Sequence, residues 1–157
     1  MELILLDNFY GIIRGGTGRA TSAKFVDTSG YTRSMDSYYV NPNPFRNTAP
    51  NPKGTVDTDC CLFYAVSDIT IDHDAYSVTQ IGTTTQYVAG TAGGYANTII
   101  ITGNADATIT YLVAVRKINY NSSSSANALV FALKLDTPVQ LNASNNYTAY
   151  FTVGIEF

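Results

Sequence analysis

The stretch Tyr147-Thr-Ala-Tyr-Phe-Thr-Val-Gly-Ile-Glu-Phe157 decides the fold class, because its side chains alternate in character with a period of two. One parity is apolar: Tyr147, Ala149, Phe151, Val153, Ile155 and Phe157. The other parity is mostly polar: Thr148, Tyr150, Thr152, Gly154 and Glu156. Successive side chains of a strand point to opposite faces, whereas a helix would scatter these apolar residues around its circumference. The stretch therefore predicts a β-strand with one apolar face.

Alternating, continuously apolar and β-branched stretches upstream predict a series of short strands. They are Cys60–Val66, Tyr76–Ile81, Thr84–Val88, Tyr95–Thr102, Thr108–Ile118, Ala128–Leu135 and Val139–Leu141. Gly82-Thr83 predicts a hairpin turn, and the residues from Gly103 to Asp106 predict another turn. Pro138 interrupts the pattern because proline cannot donate to a central ladder. Seven to nine short strands without a long helix are typical of a β-sandwich or barrel.

The alternation also assigns residues to faces of these strands. Four residues of Thr108–Ile118 are expected to share one face: Ile109, Tyr111, Val113 and Val115. Four residues of Ala128–Leu135 are expected to share another: Leu129, Phe131, Leu133 and Leu135. The polar segment between the two strands, Asn119–Asn127, is predicted to be an exposed loop.

The first third of the chain is less regular. Glu2–Ile13 is apolar, but its periodicity fits a strand and a short helix equally well, and Arg14–Arg19 is Gly-rich and predicts a flexible turn. Short strands are expected at Ala23–Val26 and Tyr38–Val40. Asn41–Pro52 contains four of the five prolines and predicts an extended loop. We therefore predict a single all-β domain over residues 1–157, an antiparallel β-sandwich or barrel-like core at 60–157 with an irregular arm at 1–59.

Composition favours a surface that contacts other proteins. Charged residues make up 13% of the chain, about half of the roughly 25% found in typical soluble domains. The chain also contains 12 Tyr, a residue enriched at interfaces. The alternative is a surface that evolved outside a crowded cytosol. Nucleic-acid binding is disfavoured, because the net charge is −3 and the nine Lys and Arg are scattered rather than grouped in a basic stripe.

The cysteines and the N-terminal residues predict neither a disulfide framework nor a membrane segment. Cys60 and Cys61 are adjacent, and a bridge between neighbours is far from ordinary disulfide geometry. We expect free thiols, one buried and one facing outward. The apolar run Leu3–Leu6 is too short for a secretory signal, and no stretch reaches the roughly 18 apolar residues of a membrane helix.

The single histidine, His73, invites two chemical interpretations. A hydrolase site around it would need a nucleophile, and the sequence contains no nucleophile elbow. Asp68, Asp72 and Asp74 resemble the spacing of a calcium loop. Neither register supplies the Gly and the Glu that an EF-hand loop requires at its sixth and twelfth positions. A solvated turn is the favoured interpretation.

Two further motifs also lack residues that the corresponding binding sites require. Cys60 and Cys61 lack the two-residue spacer of a zinc knuckle, and His73 is the only histidine available to complete a ligand set. The stretch from Gly15 to Gly18 lacks the Lys of a phosphate-binding loop and the third Gly of a dinucleotide-binding loop. We therefore expect no catalytic residue, no metal and no cofactor.

The second half of the chain resembles small bacteriophage virion structural proteins. The resemblance covers residues 60–157 and is carried by Leu62–Tyr76, Ala107–Val115 and Leu129–Leu141, the last with its Thr-Pro-Val step before a final strand. It implies a non-enzymatic auxiliary or decoration subunit of the capsid, held by protein–protein contacts. It also implies capsid or tail proteins as partners, a homo-oligomer, and location in the virion after assembly in the host cytoplasm without a signal peptide.

The residues expected at subunit interfaces are aromatic residues and prolines of the first third. They are Phe9, Tyr10, Tyr38, Tyr39, Pro42, Pro44, Phe45, Pro50 and Pro52. A tail, neck or fibre-attachment component is the alternative within the same class of function. A carbohydrate-binding β-sandwich using Tyr38, Tyr39 and Tyr120 is the alternative from another class. Neither nucleic acid nor a membrane is an expected partner.

Overall fold

The computed structural model describes residues 1–16, 23–35, 62–68, 70–91, 94–143 and 147–156. In these ranges the chain forms one helix and nine strands. In chain order they are β1 (Glu2–Leu5), α1 (Asp7–Gly16), β2 (Lys24–Val26), β3 (Thr32–Ser34), β4 (Leu62–Val66), β5 (Thr83–Thr91), β6 (Gly94–Gly103), β7 (Ala107–Asn119), β8 (Ser125–Leu141) and β9 (Tyr147–Glu156).

These strands form three antiparallel sheets. A four-stranded sheet has the order β1-β8-β7-β4, a three-stranded sheet has the order β5-β6-β9, and β2 and β3 form a hairpin. The described strands leave the sheets open rather than closing them into a barrel. The all-β, antiparallel prediction is confirmed.

A large hydrophobic core joins the two main sheets. Ile99 and Ile101 of β6 and Val153 of β9 are buried in the same cluster as Leu112 of β7 and Phe63 of β4. Helix α1 and the β2–β3 hairpin contribute to this cluster as well, since Ile12 and Phe25 are buried in it. The arrangement is sandwich-like, with α1 and the hairpin at one side of the same core.

The opposite face of the four-stranded sheet is also covered. A second cluster on that face contains Tyr111, Val113 and Val115, and Ile71 of the segment after β4 is buried in it. Burial on both faces explains why β7 reads as a nearly continuous apolar run rather than as an alternating one. Arg116 is buried and its neighbour Lys117 is exposed, as expected for adjacent residues of a strand.

The predicted faces are wrong at Ile109 because β7 is irregular. Tyr111 and Val113 lie in the second cluster, whereas Ile109 lies in the large core. The register of β7 against β8 shifts between Ile109 and Tyr111. The irregular pairing here puts Ile109 and Tyr111 on opposite faces although they are two residues apart, so a period-two pattern read across this point misassigns Ile109.

Strand β8 contains a similar shift, which makes the face assignment of Leu129 wrong. Ala114 pairs with Phe131 and Val115 pairs with Leu129, so Val130 is left as the extra residue. Leu129 therefore faces the second cluster, whereas Phe131 and residues 133 and 135 face the large core. A bulge is a local backbone feature that a period-two pattern does not report.

The predicted interruption at Pro138 appears as a jump in register inside one long strand. β8 runs from Ser125 to Leu141, but Tyr111 pairs with Lys134 and Ile109 pairs with Val139. Four residues of β8 therefore stand opposite one residue of β7 at this point. Pro138 lies in the unpaired excess, where its missing N–H costs no ladder hydrogen bond.

The segment between β4 and β5 corrects another prediction. Tyr76–Ile81 is not a strand, and of these residues only Gln80 forms an isolated bridge, to Val66. Ala75 and Val78 pack against the second cluster instead. Gly82 therefore does not turn a hairpin, and β5 pairs with β6 from Thr83 onward.

The remaining predictions of strands and turns in the second half agree with the structure within a few residues. The strands predicted at 84–88, 95–102 and 108–118 lie inside β5, β6 and β7, and the turn predicted at 103–106 connects β6 to β7. The polar loop predicted at Asn119–Asn127 is shorter, because β8 begins at Ser125. Cys60 and Cys61 lie outside the described residues.

The described part of the first third is packed against the sheet, which differs from the irregular arm expected there. β1 pairs with β8 from Glu2↔Lys134 to Leu5↔Phe131. The ambiguity of the stretch from residue 2 to 13 is explained by a strand followed directly by a helix. Arg14 belongs to that helix rather than to a turn. The strand predicted at 23–26 is β2, and β3 was not predicted.

A buried amide connects this first third to the sheet. Asn8 is 6% exposed. Its Nδ2 donates to the carbonyls of Val26 and Leu129 at 2.9 Å each, and its Oδ1 accepts the N–H of Val26 at 2.9 Å. One side chain thus satisfies both backbone groups of Val26 in β2 and a carbonyl beside the bulge of β8. Buried polar groups need such partners, and Asn8 supplies them across three elements.

Gly11 lets α1 approach β2 closely. A Cβ at this position would lie 2.5 Å from the backbone oxygen of Lys24 and 3.7 Å from Cε of Met35. A backbone oxygen cannot rotate away as the end of a flexible side chain can. The helix therefore depends on the absence of a side chain here.

We expect Gly11→Ala to destabilise the domain by roughly 1–3 kcal/mol through overpacking. That cost exceeds the gain of up to about 1 kcal/mol that alanine brings to a helix interior. The midpoint of urea denaturation, followed by circular dichroism, measures the change. Tyr10→Ala, at the exposed neighbouring position, is the control and should shift the free energy of unfolding by only about 0.5 kcal/mol. Equal midpoints for Gly11→Ala and the wild type would contradict the contact.

Candidate functional site

A cluster of aromatic residues and one arginine lies around the turn of the β2–β3 hairpin. We call it the hairpin surface. It consists of Asp27, Gly30, Tyr31, Arg33, Tyr76 and Tyr120. Two of its tyrosines are exposed large hydrophobic residues, Tyr31 at 62% and Tyr76 at 45%.

Asp27 organises the turn. Its Oδ1 accepts the backbone N–H groups of Ser29 at 3.0 Å and Tyr31 at 2.9 Å, and its Oδ2 accepts Nε of Arg33 at 2.7 Å. The side chain is 4% exposed. Burial alone raises the pKa of this carboxyl, but the hydrogen bonds from Tyr31, Arg33 and Ser29 outweigh burial and hold the pKa of Asp27 below its ordinary value. Asp27 is therefore a fixed negative charge under the turn.

Arg33 is held in one orientation by this carboxylate and by two rings. Its guanidinium carbon lies 5.1 Å from the ring centroid of Tyr31 and 5.6 Å from that of Tyr120. Both distances are within the range of cation–π attraction. The ring of Tyr120 in turn packs on Phe25 of the core, with centroids 5.9 Å apart. The arginine is thus anchored through Tyr120 to the interior of the domain.

The tip of the hairpin is fixed from two further sides. Gly30 has a φ of 84°, which favours glycine. A Cβ there would lie 3.3 Å from Cε2 of Tyr76, so the Tyr76 ring lies on this glycine. The N–H of Thr28 donates to the carbonyl of Asn127 in β8 at 2.8 Å. The turn is therefore fastened to the four-stranded sheet and covered by the segment after β4.

The arrangement presents a pre-oriented cation between aromatic rings. The hydrogen bond to Asp27 uses Nε of Arg33, and among the described residues no hydrogen bond involves its two terminal Nη groups, which are donors suited to another molecule. The side chain is 35% exposed. Tyrosine and arginine are the residue types that dominate binding energy at protein interfaces, and a side chain already held in place loses little entropy on binding. The hairpin surface therefore has the composition and rigidity of a protein-contact site.

The hairpin surface was not predictable from a motif in the sequence. Its members come from residues 27–33, 76 and 120, and no motif links these positions. Asp27 and Gly30 stand at the first and last positions of a four-residue turn, as expected for a type I turn. That local signal was available, but it predicts a turn and says nothing of the rings around it.

The structure describes two of the nine predicted interface residues. Phe9 and Tyr10 lie in α1, with their rings 5.7 Å apart and nearly perpendicular. Phe9 packs against the large core, whereas Tyr10 is 59% exposed. Tyr10 and Ile13, one helical turn apart, form a small exposed apolar strip on α1. The other seven residues lie outside the described residues: Tyr38, Tyr39, Pro42, Pro44, Phe45, Pro50 and Pro52.

A second candidate is a cleft where the chain crosses from β4 to β5. Its volume is about 330 Å³, and Leu62, Tyr64 and Gln80 are among the residues that line it. Gln80 Nε2 donates to Oγ1 of Thr84 at 2.9 Å across one side of the cleft. Its described lining combines apolar and neutral polar groups, and among those residues the phenol of Tyr64 is the one titratable group.

His73 lies beside an aspartate at the start of α1. Its Nδ1 is 3.0 Å from Oδ1 of Asp7, and the N–H of Asp7 donates to the carbonyl of His73 at 2.8 Å. Both side chains are well exposed. The hydrogen bond and the charge of Asp7, followed by the weaker fields of Asp74 and Asp72, raise the pKa of His73 above its ordinary value. The pair joins the segment after β4 to the N-terminus of the helix.

The metal-binding and phosphate-binding motifs considered in the sequence are not completed by other residues in the described ranges. Among these residues there is no cluster of His, Cys, Asp and Glu suited to holding a metal ion. No helix in the same ranges is long and apolar enough to cross a bilayer. Gly15 and Gly16 form the end of α1 rather than a phosphate-binding loop before a helix.

Comparison of the chain with protein-family models, with curated proteins and with solved structures found no match.

We expect the contact between His73 and Asp7 to make stability depend on pH. A histidine whose pKa is raised by folding stabilises the domain fully below its unfolded pKa of about 6.5, and that contribution is lost as the pH rises through the folded value. His73→Gln should therefore be less stable than the wild type near pH 5.5, and the difference should disappear near pH 8. Thermal denaturation at the two pH values measures this.

The matched controls are two substitutions of neighbouring carboxylates. Asp7→Asn should reproduce the pH dependence of His73→Gln, because it removes the acceptor and its charge. Asp72→Asn should retain most of the wild-type dependence, because its field is the weakest of those acting on His73. A difference between wild type and His73→Gln that is the same at both pH values would contradict the contact.

Proposed function

We propose that this chain is a non-enzymatic structural subunit of a bacteriophage virion, and most specifically an auxiliary or decoration subunit of the capsid held by protein–protein contacts. The hairpin surface is the observation that carries the contact part of this proposal. It combines a buried carboxylate, an oriented arginine and exposed tyrosines on an antiparallel β-domain. The virion part is supported by the resemblance of residues 60–157 to small phage structural proteins.

The low charge of the chain supports the same proposal. At 13% charged residues, it keeps less surface charge than domains selected for free diffusion at high concentration. Exposed Tyr10, Tyr31 and Tyr76 occupy part of the surface instead. Such side chains gain most when another protein covers them.

The packing of the first third also suits a subunit of an assembly. A free sheet edge invites pairing with any other strand. In the described sheet β1 is the edge strand on this side, and it is only four residues long. A very short edge strand offers little for another strand to pair with, so contacts are expected to form through side chains at chosen surfaces.

The alternative classes receive less support. A tail, neck or fibre-attachment component remains the second candidate, because the same surface would serve it equally well. A carbohydrate platform built on Tyr120 is less suited to the geometry, since the Arg33 guanidinium lies over this ring, Phe25 packs against it and the residue is partly buried. Tyr38 and Tyr39, the other members of that platform, lie outside the described residues.

Immunogold labelling of purified phage particles tests the proposal. The particles are those of the phage that encodes this chain, and antibody against the purified chain should label their heads at many sites. Antibody preadsorbed with the purified chain is the control and should leave the particles unlabelled. Label confined to tails would overturn the decoration assignment in favour of the tail alternative. Particles that contain none of the chain, by labelling and by mass spectrometry, would overturn the virion proposal.

A further inference from the structure

The segment between β4 and β5 covers the face of the four-stranded sheet that carries the second cluster. We call residues 70–80 the strap. Apart from one isolated bridge, the strap forms neither helix nor strand. Ile71 is its one buried residue, and Ala75 and Val78 pack beside it on the second cluster. Segments with few buried apolar contacts open at a lower free energy than the core of a domain. The strap therefore covers an apolar face with little packing of its own.

Backbone contacts hold the strap near its end and near its middle. At the end, the N–H of Ile81 donates to the carbonyl of Ala65 at 2.8 Å. Near the middle, the N–H of Asp7 donates to the carbonyl of His73 at 2.8 Å, and Oδ1 of Asp7 lies 3.0 Å from Nδ1 of His73. We call these two contacts of Asp7 and His73 the clasp. Because the first N–H groups of a helix have no partner within it, the N–H of Asp7 depends on the strap for its hydrogen bond.

The strap also supplies part of the hairpin surface. Cε2 of Tyr76 would lie 3.3 Å from a Cβ at Gly30, so this ring covers the tip of the hairpin only while the strap is in place. A displaced strap removes an exposed tyrosine from the hairpin surface. It also withdraws Ile71 from the second cluster and thereby uncovers apolar side chains of the sheet.

We propose that the strap is a conformational device that opens while both main sheets stay folded, and that the clasp between His73 and Asp7 sets how often it is open. The closed strap completes the hairpin surface with Tyr76 and covers the second cluster. The open strap removes this tyrosine and exposes an apolar face. The use of the device in assembly rests on the proposed function, whereas the opening itself does not.

The charges around His73 make the clasp depend on pH. Asp7 faces the imidazole from α1, and Asp74 and Asp72 flank it on the strap. The hydrogen bond with Asp7 is the largest of these influences, and all three carboxylates raise the pKa of His73 above its ordinary value. The positive end of the α1 dipole acts in the opposite sense, but Asp7 is the group in direct contact. The clasp is therefore strongest below about pH 6.5, where the histidine is protonated, and weakens as the pH rises.

Hydrogen exchange of single amides, measured by NMR on the purified full chain, tests the opening. The N–H of Asp7 is bonded to the strap, whereas the N–H of its neighbour Leu6 is bonded to Val130 of β8. We expect Asp7 to be protected from exchange about tenfold less than Leu6, or weaker still but measurable. Its exchange should respond only weakly to low concentrations of urea, because a local opening exposes little surface.

Two outcomes of this comparison would overturn the proposal. Equal protection of Asp7 and Leu6, with the same dependence on urea, would mean that the strap opens only with the whole domain. Complete absence of protection at Asp7 would mean that the strap is not closed in solution.

The role of the clasp is tested by repeating the measurement at pH 5.5 and pH 8, with each rate corrected for the intrinsic exchange rate at that pH. Asp7 should be about twofold to fivefold more protected at pH 5.5, as expected for an exposed ion pair. His73→Gln removes the imidazole but keeps the backbone carbonyl that Asp7 reports on, and it should abolish this difference. Asp72→Asn is the matched control and should retain most of it.

A pH dependence that persists in His73→Gln would contradict the clasp, and so would its equal loss in both variants. None of these outcomes bears on whether virions are labelled, so this proposal and the proposed function fail separately.

Discussion

The hydrogen bonds of Asn8 are the constraint on which the arrangement of the first third depends. β8 has β7 on one side, and its other side would expose backbone carbonyls if nothing covered them. β1 pairs with residues 131–134 of β8, and beyond this pairing the carbonyls of Leu129 and Val130 face the start of α1. Leu6 N–H reaches Val130 at 3.1 Å and Asn8 reaches Leu129 at 2.9 Å. Asn8, in the first turn of α1, therefore supplies the hydrogen bond to the Leu129 carbonyl that β1 does not make.

The position of the hairpin surface follows from this contact. Because Asn8 also holds both backbone groups of Val26, it sets where β2 lies against the helix, and Gly11 lets the two approach closely. Asp27, one residue after Val26, then begins the turn that orients Arg33. The hydrogen bonds of Asn8 to Leu129 of β8 and to Val26 of β2 therefore determine where the hairpin surface lies on the four-stranded sheet.

Much of the fold was predictable from the sequence because period-two patterns and turn residues are local signals. The strands now called β6, β7 and β9, and the turn before β7, follow from them. The faces of Ile109 and Leu129 were not predictable, because an irregularity in strand pairing changes which face a side chain points to without changing the residue types around it. The segment containing Ala75 and Val78 also alternates, but it covers an apolar face instead of pairing.

The candidate site was less predictable than the fold for a related reason. Aromatic residues were expected at interfaces, and of the two that the structure describes Tyr10 is exposed whereas Phe9 packs against the core. Arg33, however, acquires its character from Asp27, Tyr31 and Tyr120, which come together only when the hairpin packs beside the β7–β8 turn. The role of Asn8 was not predictable either, because an asparagine in a sequence indicates a turn or a helix cap more readily than buried hydrogen bonds between a helix and two strands.

Native-state hydrogen exchange measured by NMR tests most directly whether the first third is an integral part of the domain. The N–H of Val26, bonded to Asn8, and the N–H of Leu6, bonded to Val130, report on the contact itself. We expect both to exchange nearly as slowly as the amides of the inner strand β7, because all of them open with the whole domain. Rapid exchange of Val26 and Leu6, with the β7 amides still protected, would contradict it and indicate an arm that detaches from the sheet.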